Sequence, residues 1–262
     1  MIAPIEYPAD VRHPRRDRRP AAPRAVAVDL GSSTTGVWAS HHGIVNGPND
    51  DTVGGRTLMR RGRVTDVEGC VTRLEELIRQ YPQPMHAPDL VVACRPVLST
   101  DADLALLRQV LDTAFAPRRT LFIDTVRAAA IGAGATAGSL LIADVGAELT
   151  EVALLEDGHV TEARRTDVGT RDLDGGTTTS ALADIVAGHL GELRASCPGT
   201  VFQQATARGL LLVGDGAAHP RLSTELATGL GMRVHLAVGP RATALNGAGL
   251  AAASALRHPG LN

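Results

Sequence analysis

Beyond Arg24 the chain alternates short apolar runs with stretches of helical period. Ala25 to Leu30 is apolar and of strand length, Gly31 to Thr34 is a polar turn, and Thr35 to Ser40 is a second strand that returns through Gly43 to Val45. Residues 46–63 are polar and glycine-rich and read as a loop. Val67, Val71, Leu74 and Ile78 recur at helical spacing and predict a helix over Val67 to Gln80. After Pro88 come a buried-type strand at Leu90 to Cys94, a helix at Asp101 to Phe115 opened by a Thr or Asp cap, and a strand at Thr120 to Ile123. An alanine-rich helix at Arg127 to Gly134 ends in glycine. Ser139 to Asp144 then begins another strand, turn, strand and hairpin unit running to about Arg165. One long helix from about Leu173 to Ser196 and a strand at Leu210 to Val213 follow. Helix, strand and helix at 217–229, 233–237 and 241–256 complete the pattern. Strands alternating with helices predict an α/β protein, and the two hairpin units make its sheets mixed.

Residues 1–23 break from this pattern. Prolines at 4, 8, 14, 20 and 23 forbid a helix, and Arg12, Arg15, Arg16, Arg18 and Arg19 make the segment a disordered basic arm. Such an arm is either a solvated tail or a weak contact for acidic lipid or nucleic acid.

Composition narrows the chemistry. All 26 basic residues of the 262 are Arg, so lysine-dependent phosphate loops, Schiff-base enzymes and Ser-Lys hydrolases are excluded. Aromatics at 2% leave little for stacking on bases, and a net charge of −2 gives no general attraction to polyanions, so no specific nucleic-acid partner is expected. Three dispersed cysteines, Cys70, Cys94 and Cys197, suit a reducing compartment. No apolar run has the length of a membrane span, and no signal peptide is evident.

The two hairpin units superpose at one offset. Asp29 and Asp144, Gly31 and Gly146, Thr35 and Thr150, Val37 and Val152, Gly43 and Gly158, and Val45 and Val160 are each 115 positions apart. This reads as an internal duplication, with two lobes of one topology facing each other across a cleft. In each unit an Asp ends a buried strand and a Gly-containing turn follows, whose N–H groups can wrap a phosphate while the carboxylate faces a cation. Asp29 with Gly31, Ser32, Ser33 and Thr34 forms one jaw in this reading, and Asp144 with Gly146 the other. The expected organisation is a first lobe over 24–137, a second over 138–240, a helix at 241–256 returning to the first, and a tail at 257–262.

With those residues in view, the sequence resembles the actin, hexokinase and heat-shock ATPase superfamily, and within it the bacterial actin MreB family. The resemblance rests on AVDLGSSTTGVW (27–38), RRGRVTDVEG (60–69), AAAIGAG (128–134), LLIADVGAELTEVALLEDGHV (140–160), LLLVGDGAAHP (210–220) and ATALNGAGLAA (242–252). These fall in the family's order of first phosphate loop, connecting helix, second phosphate loop, adenosine motif and second connecting helix. It implies a duplicated, RNase H-like two-lobed fold with ATP and Mg2+ in the cleft. Asp29 and Asp144 would lie near the metal through waters, and Gly214 and Gly216 beside the adenosine. Thr35 and Thr150 join the nucleotide-binding set. Partners would be the chain itself or a full-length bacterial actin, with membrane-associated wall-synthesis proteins nearby. The location would be the cytoplasm or the membrane periphery, and the role would lie in cell shape or in cell-wall or spore-wall organisation.

Several residues depart from that family. Both outer subdomains are shortened, around residues 38–60 and 175–210. Ala147, Glu148 and Leu149 stand where the second loop has glycines and threonine, and an unscreened Glu148 beside phosphate costs about 1 kcal/mol. Asp124 and Thr125 occupy the place of two glutamates, and Thr125, at the hydrolytic position, is a poor base. Asp215 interrupts a glycine run. Weak or absent hydrolysis is therefore expected, with a nucleotide-free scaffold or a compact chaperone or reactivating factor as alternatives.

Other groups carry less. Asp167, Asp172 and Asp174 lack calcium-loop order and read as a solvated turn. Adjacent His41 and His42 make no zinc spacing, and Ser32 and Ser33 lack an esterase context. Arg127 is placed to reach either a cleft phosphate or Asp124.

Overall fold

The computed structural model describes residues 24–49, 57–173, 175–197 and 199–257; the basic arm and Asp174 fall outside them. The first half runs through β1 (Ala25–Leu30), β2 (Thr34–Ala39), β3 (Gly43–Pro48), a small hairpin of β4 (Met59–Arg60) and β5 (Arg63–Val64), and α1 (Val67–Ile78). It continues with β6 (Leu90–Arg95), α2 (Asp101–Phe115), β7 (Arg119–Asp124) and α3 (Thr125–Gly132). The second half comprises β8 (Ser139–Val145), β9 (Thr150–Glu156), β10 (His159–Thr166), α4 (Thr179–Ser196) and α5 (Thr200–Arg208). It ends with β11 (Leu210–Val213), α6 (Pro220–Leu230), β12 (Val234–Leu236) and α7 (Thr243–Ala255).

Two five-stranded sheets result, ordered β3-β2-β1-β6-β7 and β10-β9-β8-β11-β12, so each half builds the same topology. The duplication extends to register. Leu30 faces Thr35 and Asp29 faces Gly36 in the first sheet; Val145 faces Thr150 and Asp144 faces Glu151 in the second. The turns match as well. The Gly31 N–H donates to the Thr34 carbonyl at 2.9 Å, and the Gly146 N–H to the Leu149 carbonyl at 2.8 Å.

The equivalence stops one turn later. Ala39 and Gly43 close the first hairpin, whereas Glu156 and His159 close the second around Asp157 and Gly158, whose φ values are 47° and 75°. Two residues at positive φ make the tight turn that matches strand twist. A register shift between Val160 and Glu162 then leaves Val160 facing Leu155, while Val45 faces Val37. Gly43 with Gly158 and Val45 with Val160 therefore share an offset without being structural counterparts.

The inner strands β1, β6, β8 and β11 are largely apolar because both sheet faces are covered there, while the edge strands β3 and β10 carry polar residues. Ala25 and Ala27 pack into a central core beneath α3 and α7, while Val26, Val28 and Leu30 face α1 and α2. In the second sheet Leu140 and Ile142 join the central core and Leu141, Ala143 and Val145 face α4, α5 and α6. The helices α3 and α7 cross near the molecule's centre with their backbones in close approach. A Cβ on Gly132 would lie 2.0 Å from the Thr243 carbonyl oxygen, and one on Gly247 would lie 1.7 Å from that of Ala128. Thr243 and Gly247 are Ala128 and Gly132 displaced by the same 115 positions, so the crossing is an isologous contact about a pseudo-two-fold axis. Each helix also reaches the opposite sheet: α3 packs on β8 and β9, α7 on β1, β2 and β6.

Three local expectations change. The segment read as a loop over 46–63 contains β4 and β5, joined through Arg61 and Gly62 at positive φ. The long helix expected from Leu173 begins at Thr179, where the Thr178 side chain caps it by accepting from the Ala181 N–H. A separate helix, α5, follows it, with only Phe202 and Ala205 buried, too short an apolar stripe to stand out in the sequence.

Candidate functional site

The carboxyl ends of β1 and β8 and the turns that follow them face each other across a cavity of about 110 Å³. Asp29, Gly31, Ser32, Ser33 and Thr34 line one wall and Asp144, Gly146, Ala147 and Glu148 the other. Gly214, Asp215 and Arg241 close the side formed after β11.

Asp29 and Asp144 occupy equivalent strand ends, and the carboxylate of neither is engaged in a hydrogen bond or ion pair among the described residues. Burial pushes the Asp29 carboxyl up to about 6. Burial, then Asp29 and Asp215, push that of Asp144 up to about 7. Gly214 makes room for this carboxylate, because a Cβ there would lie 2.2 Å from Asp144 Oδ1. The residue facing Asp144 in the register, Glu151, is 3% exposed and accepts the Val97 N–H at 2.5 Å. Its carboxyl is held well above the usual range by burial and by Asp144. Glu151 escapes a sequence reading because its counterpart, Gly36, has no side chain to compare.

Glu148 differs from expectation. Its carboxylate accepts the Arg61 N–H at 2.9 Å and an Arg171 guanidinium N–H at 3.1 Å, so its charge is countered locally. Arg61 also forks onto Asp172 at 2.7 and 2.8 Å, Arg63 pairs with Asp167 at 2.9 Å, and Arg165 donates to the Arg61 carbonyl. The turn residues Asp167 and Asp172, expected in a solvated loop, are thus the second half's grip on the β4–β5 hairpin. This clasp bridges the halves beside the second turn.

Other expected site residues are dispersed. Thr35 and Thr150 are fully buried; their hydroxyls donate to Asn49 Oδ1 at 2.7 Å and to the Val168 carbonyl at 2.8 Å, and neither lines the cavity. Gly216 packs on Val145, 2.6 Å from where its Cβ would be, outside the lining. Thr125 does line it, with its hydroxyl donating to the Arg95 carbonyl at 2.9 Å. Asp124 pairs with Arg95 at 3.0 Å, so Arg127 is not its partner, and the Arg127 Nε has no hydrogen-bond partner. His42 stacks at a tilt on Tyr81, 5.1 Å between centroids, and takes no part in the cleft.

No group of three or more His, Cys, Asp or Glu among the described residues is arranged to ligate a metal directly. Two buried, uncompensated carboxylates facing one cavity nevertheless fit a hydrated divalent cation, whose charge would offset their repulsion. No helix among the described residues is long and apolar enough to cross a membrane.

Comparison with known proteins gives a consistent result. The family model described as MreB/Mbl protein matches residues 47–179. Comparison with curated protein sequences gives no match. The crystal structure of MreB5 of Spiroplasma citri bound to ADP is similar over 91% of this chain and 98% of its own, with a TM-score of 0.74 at 14% identity. A MamK double helical filament is similar over 88% and 98%, with a TM-score of 0.72 at 13% identity. The ethanolamine utilization protein EutJ from Carboxydothermus hydrogenoformans is similar over 87% and 89%, with a TM-score of 0.63 at 18% identity.

Proposed function

The chain belongs to the MreB/Mbl family, and from that premise we propose that it binds ATP with Mg2+ in the cleft and hydrolyses it slowly or not at all. In this reading it assembles with itself or with a longer bacterial actin in organising cell shape or the cell or spore wall. The observation that carries the reading is the pair of matched turns: two N–H to carbonyl contacts at one offset, each behind a strand-ending carboxylate, facing each other across one cavity. Turn N–H groups that follow Gly31 and Gly146, whose own N–H groups close the turns, would hold phosphates, and Asp29 and Asp144 would hold the hydrated Mg2+. The bound metal would neutralise charge on the triphosphate. Slow chemistry follows from Thr125 and Asp124, since both are engaged with Arg95 and neither is a free base.

A second reading, a scaffold without nucleotide, is favoured by the cavity's size. About 110 Å³ falls below the roughly 300 to 1,000 Å³ of small-molecule sites, so a nucleotide requires the lobes to open. Titration of a fluorescent ATP analogue with and without Mg2+ separates the two. The ATP reading expects Mg2+-dependent binding that Asp29→Ala and Asp144→Ala each weaken at least tenfold. No binding by wild type favours the scaffold, and equal binding by both variants rules out the cleft. Pelleting with ATP, alone and with a full-length MreB, reads assembly in the same samples.

A further inference from the structure

Five carboxylates line the cavity, those of Asp29, Asp144, Glu148, Glu151 and Asp215, against one cationic side chain among the described residues, that of Arg241. The chain has no lysine to supply another. Arg241 is also engaged in an unusual way. Its Nε lies 2.5 Å from Asp215 Oδ1, while the Ser33 hydroxyl donates to Asp215 Oδ2 at 3.0 Å. One carboxylate thus accepts from Ser33 on the first half's wall, 182 positions away in the chain, and from Arg241 on its own side of the cleft, 26 positions away. A guanidinium and a hydroxyl converging on two oxygens of one anion are the donor set that holds a phosphate.

We propose that Arg241 and Ser33 form a phosphate subsite, and that the Asp215 carboxylate occupies it in the closed cleft. The inference rests on the nucleotide reading above and specifies how a polyphosphate enters. An incoming phosphate must displace Asp215 from both donors, which frees the guanidinium to pair with the ligand and unties the two walls. Asp215 is 16% exposed and Arg241 63%, so the arginine can follow a ligand outward while the carboxylate stays in the cleft wall. The same bridge accounts for the small cavity. Binding of a polyphosphate by wild type is then a competition between two anions for one cation and one hydroxyl.

The test compares wild type, Asp215→Ala, Asp215→Asn, Arg241→Ala and the double variant Asp215→Ala with Arg241→Ala. Each is titrated with the fluorescent ATP analogue and, separately, with inorganic tripolyphosphate, both with Mg2+, and melting without ligand checks the fold. Asp215→Asn keeps the shape and removes the charge, so its result decides if Asp215→Ala does not fold. The expected result is about tenfold tighter binding by both Asp215 variants, a change of about 1.4 kcal/mol. The Arg241 variant binds more weakly than wild type, and the double variant loses the gain. Equal ATP affinity across all five proteins overturns the subsite and leaves the nucleotide reading standing. Tripolyphosphate binding that follows Arg241, without any ATP binding, supports the subsite and overturns the nucleotide reading. Binding of neither probe by any of the proteins overturns both.

Discussion

At the scale of single residues, Asp29 and Asp144 are where sequence and structure agree most closely. A strand-ending Asp before a Gly turn, found twice at one spacing, places two carboxylates at one cavity without any knowledge of the fold. Thr35 and Thr150 show the limit of that reasoning. They share the same offset, but period-two alternation along β2 and β9 turns them into the protein, where their hydroxyls serve Asn49 and Val168. Asp29 and Asp144 also set a pH dependence. Their pKa values rise from 3.8 unfolded to about 6 and about 7 folded, so the folded state holds more protons. The stability they contribute is complete below pH 4 and is lost as pH rises through 6 to 7, on the order of 3 kcal/mol for Asp29. His189 acts oppositely in this window, because burial lowers its pKa. The measurement is therefore a difference: melting of wild type against Asp29→Asn and Asp144→Asn from pH 4.5 to 7.5. Each variant should gain on wild type as pH rises, and parallel curves would contradict the assignment.

At the scale of elements, the long strands and every helix but α5 follow from apolar period, and the β4–β5 hairpin does not. Its strands are two residues each, and what positions it lies more than 80 residues away in Glu148, Asp167 and Asp172. Local patterning cannot report contacts of that range. The α3–α7 crossing was legible in principle, because Gly132 and Gly247 obey the offset already visible in the strands. Helical glycine normally weakens a helix by about 1 kcal/mol relative to alanine, so these two need a reason, and the reason is backbone contact. Gly132→Ala and Gly247→Ala should each destabilise by about 1 to 3 kcal/mol through overpacking. Gly188→Ala, on α4 with open space around its Cα, should stabilise by up to about 1 kcal/mol. Thermal melting reads all three, and an unchanged Gly132→Ala would show that the helices can part without cost.

At the scale of the whole molecule, the halves are tied by the helix crossing, by the Glu151–Val97 hydrogen bond and by two contacts that border the cleft. One is the Asp215 bridge at the cleft mouth; the other is the Arg61 clasp on Glu148 and Asp172. Arg61 is 29% exposed, so its fork on Asp172 is worth about 1 to 2 kcal/mol once solvent screening is allowed for. Arg61→Ala should speed hydrogen exchange at the backbone of Gly146 to Glu148 severalfold with little change in the distant α4. Arg61→Lys should not restore protection, because an ammonium cannot reproduce the fork. Exchange that is unchanged in Arg61→Ala would mean that the clasp does not govern opening.

The crossing of α3 and α7 has a consequence for how the chain can be divided. Each half lends its last helix to the other's sheet, and each helix meets its own counterpart at a glycine. Cut between the halves, either piece would expose the sheet face its neighbour's helix now covers and would carry a helix shaped for an equivalent face. Each half thus presents a surface shaped for its near-equivalent, and the intact protein resembles a pseudo-two-fold dimer whose two parts share one backbone.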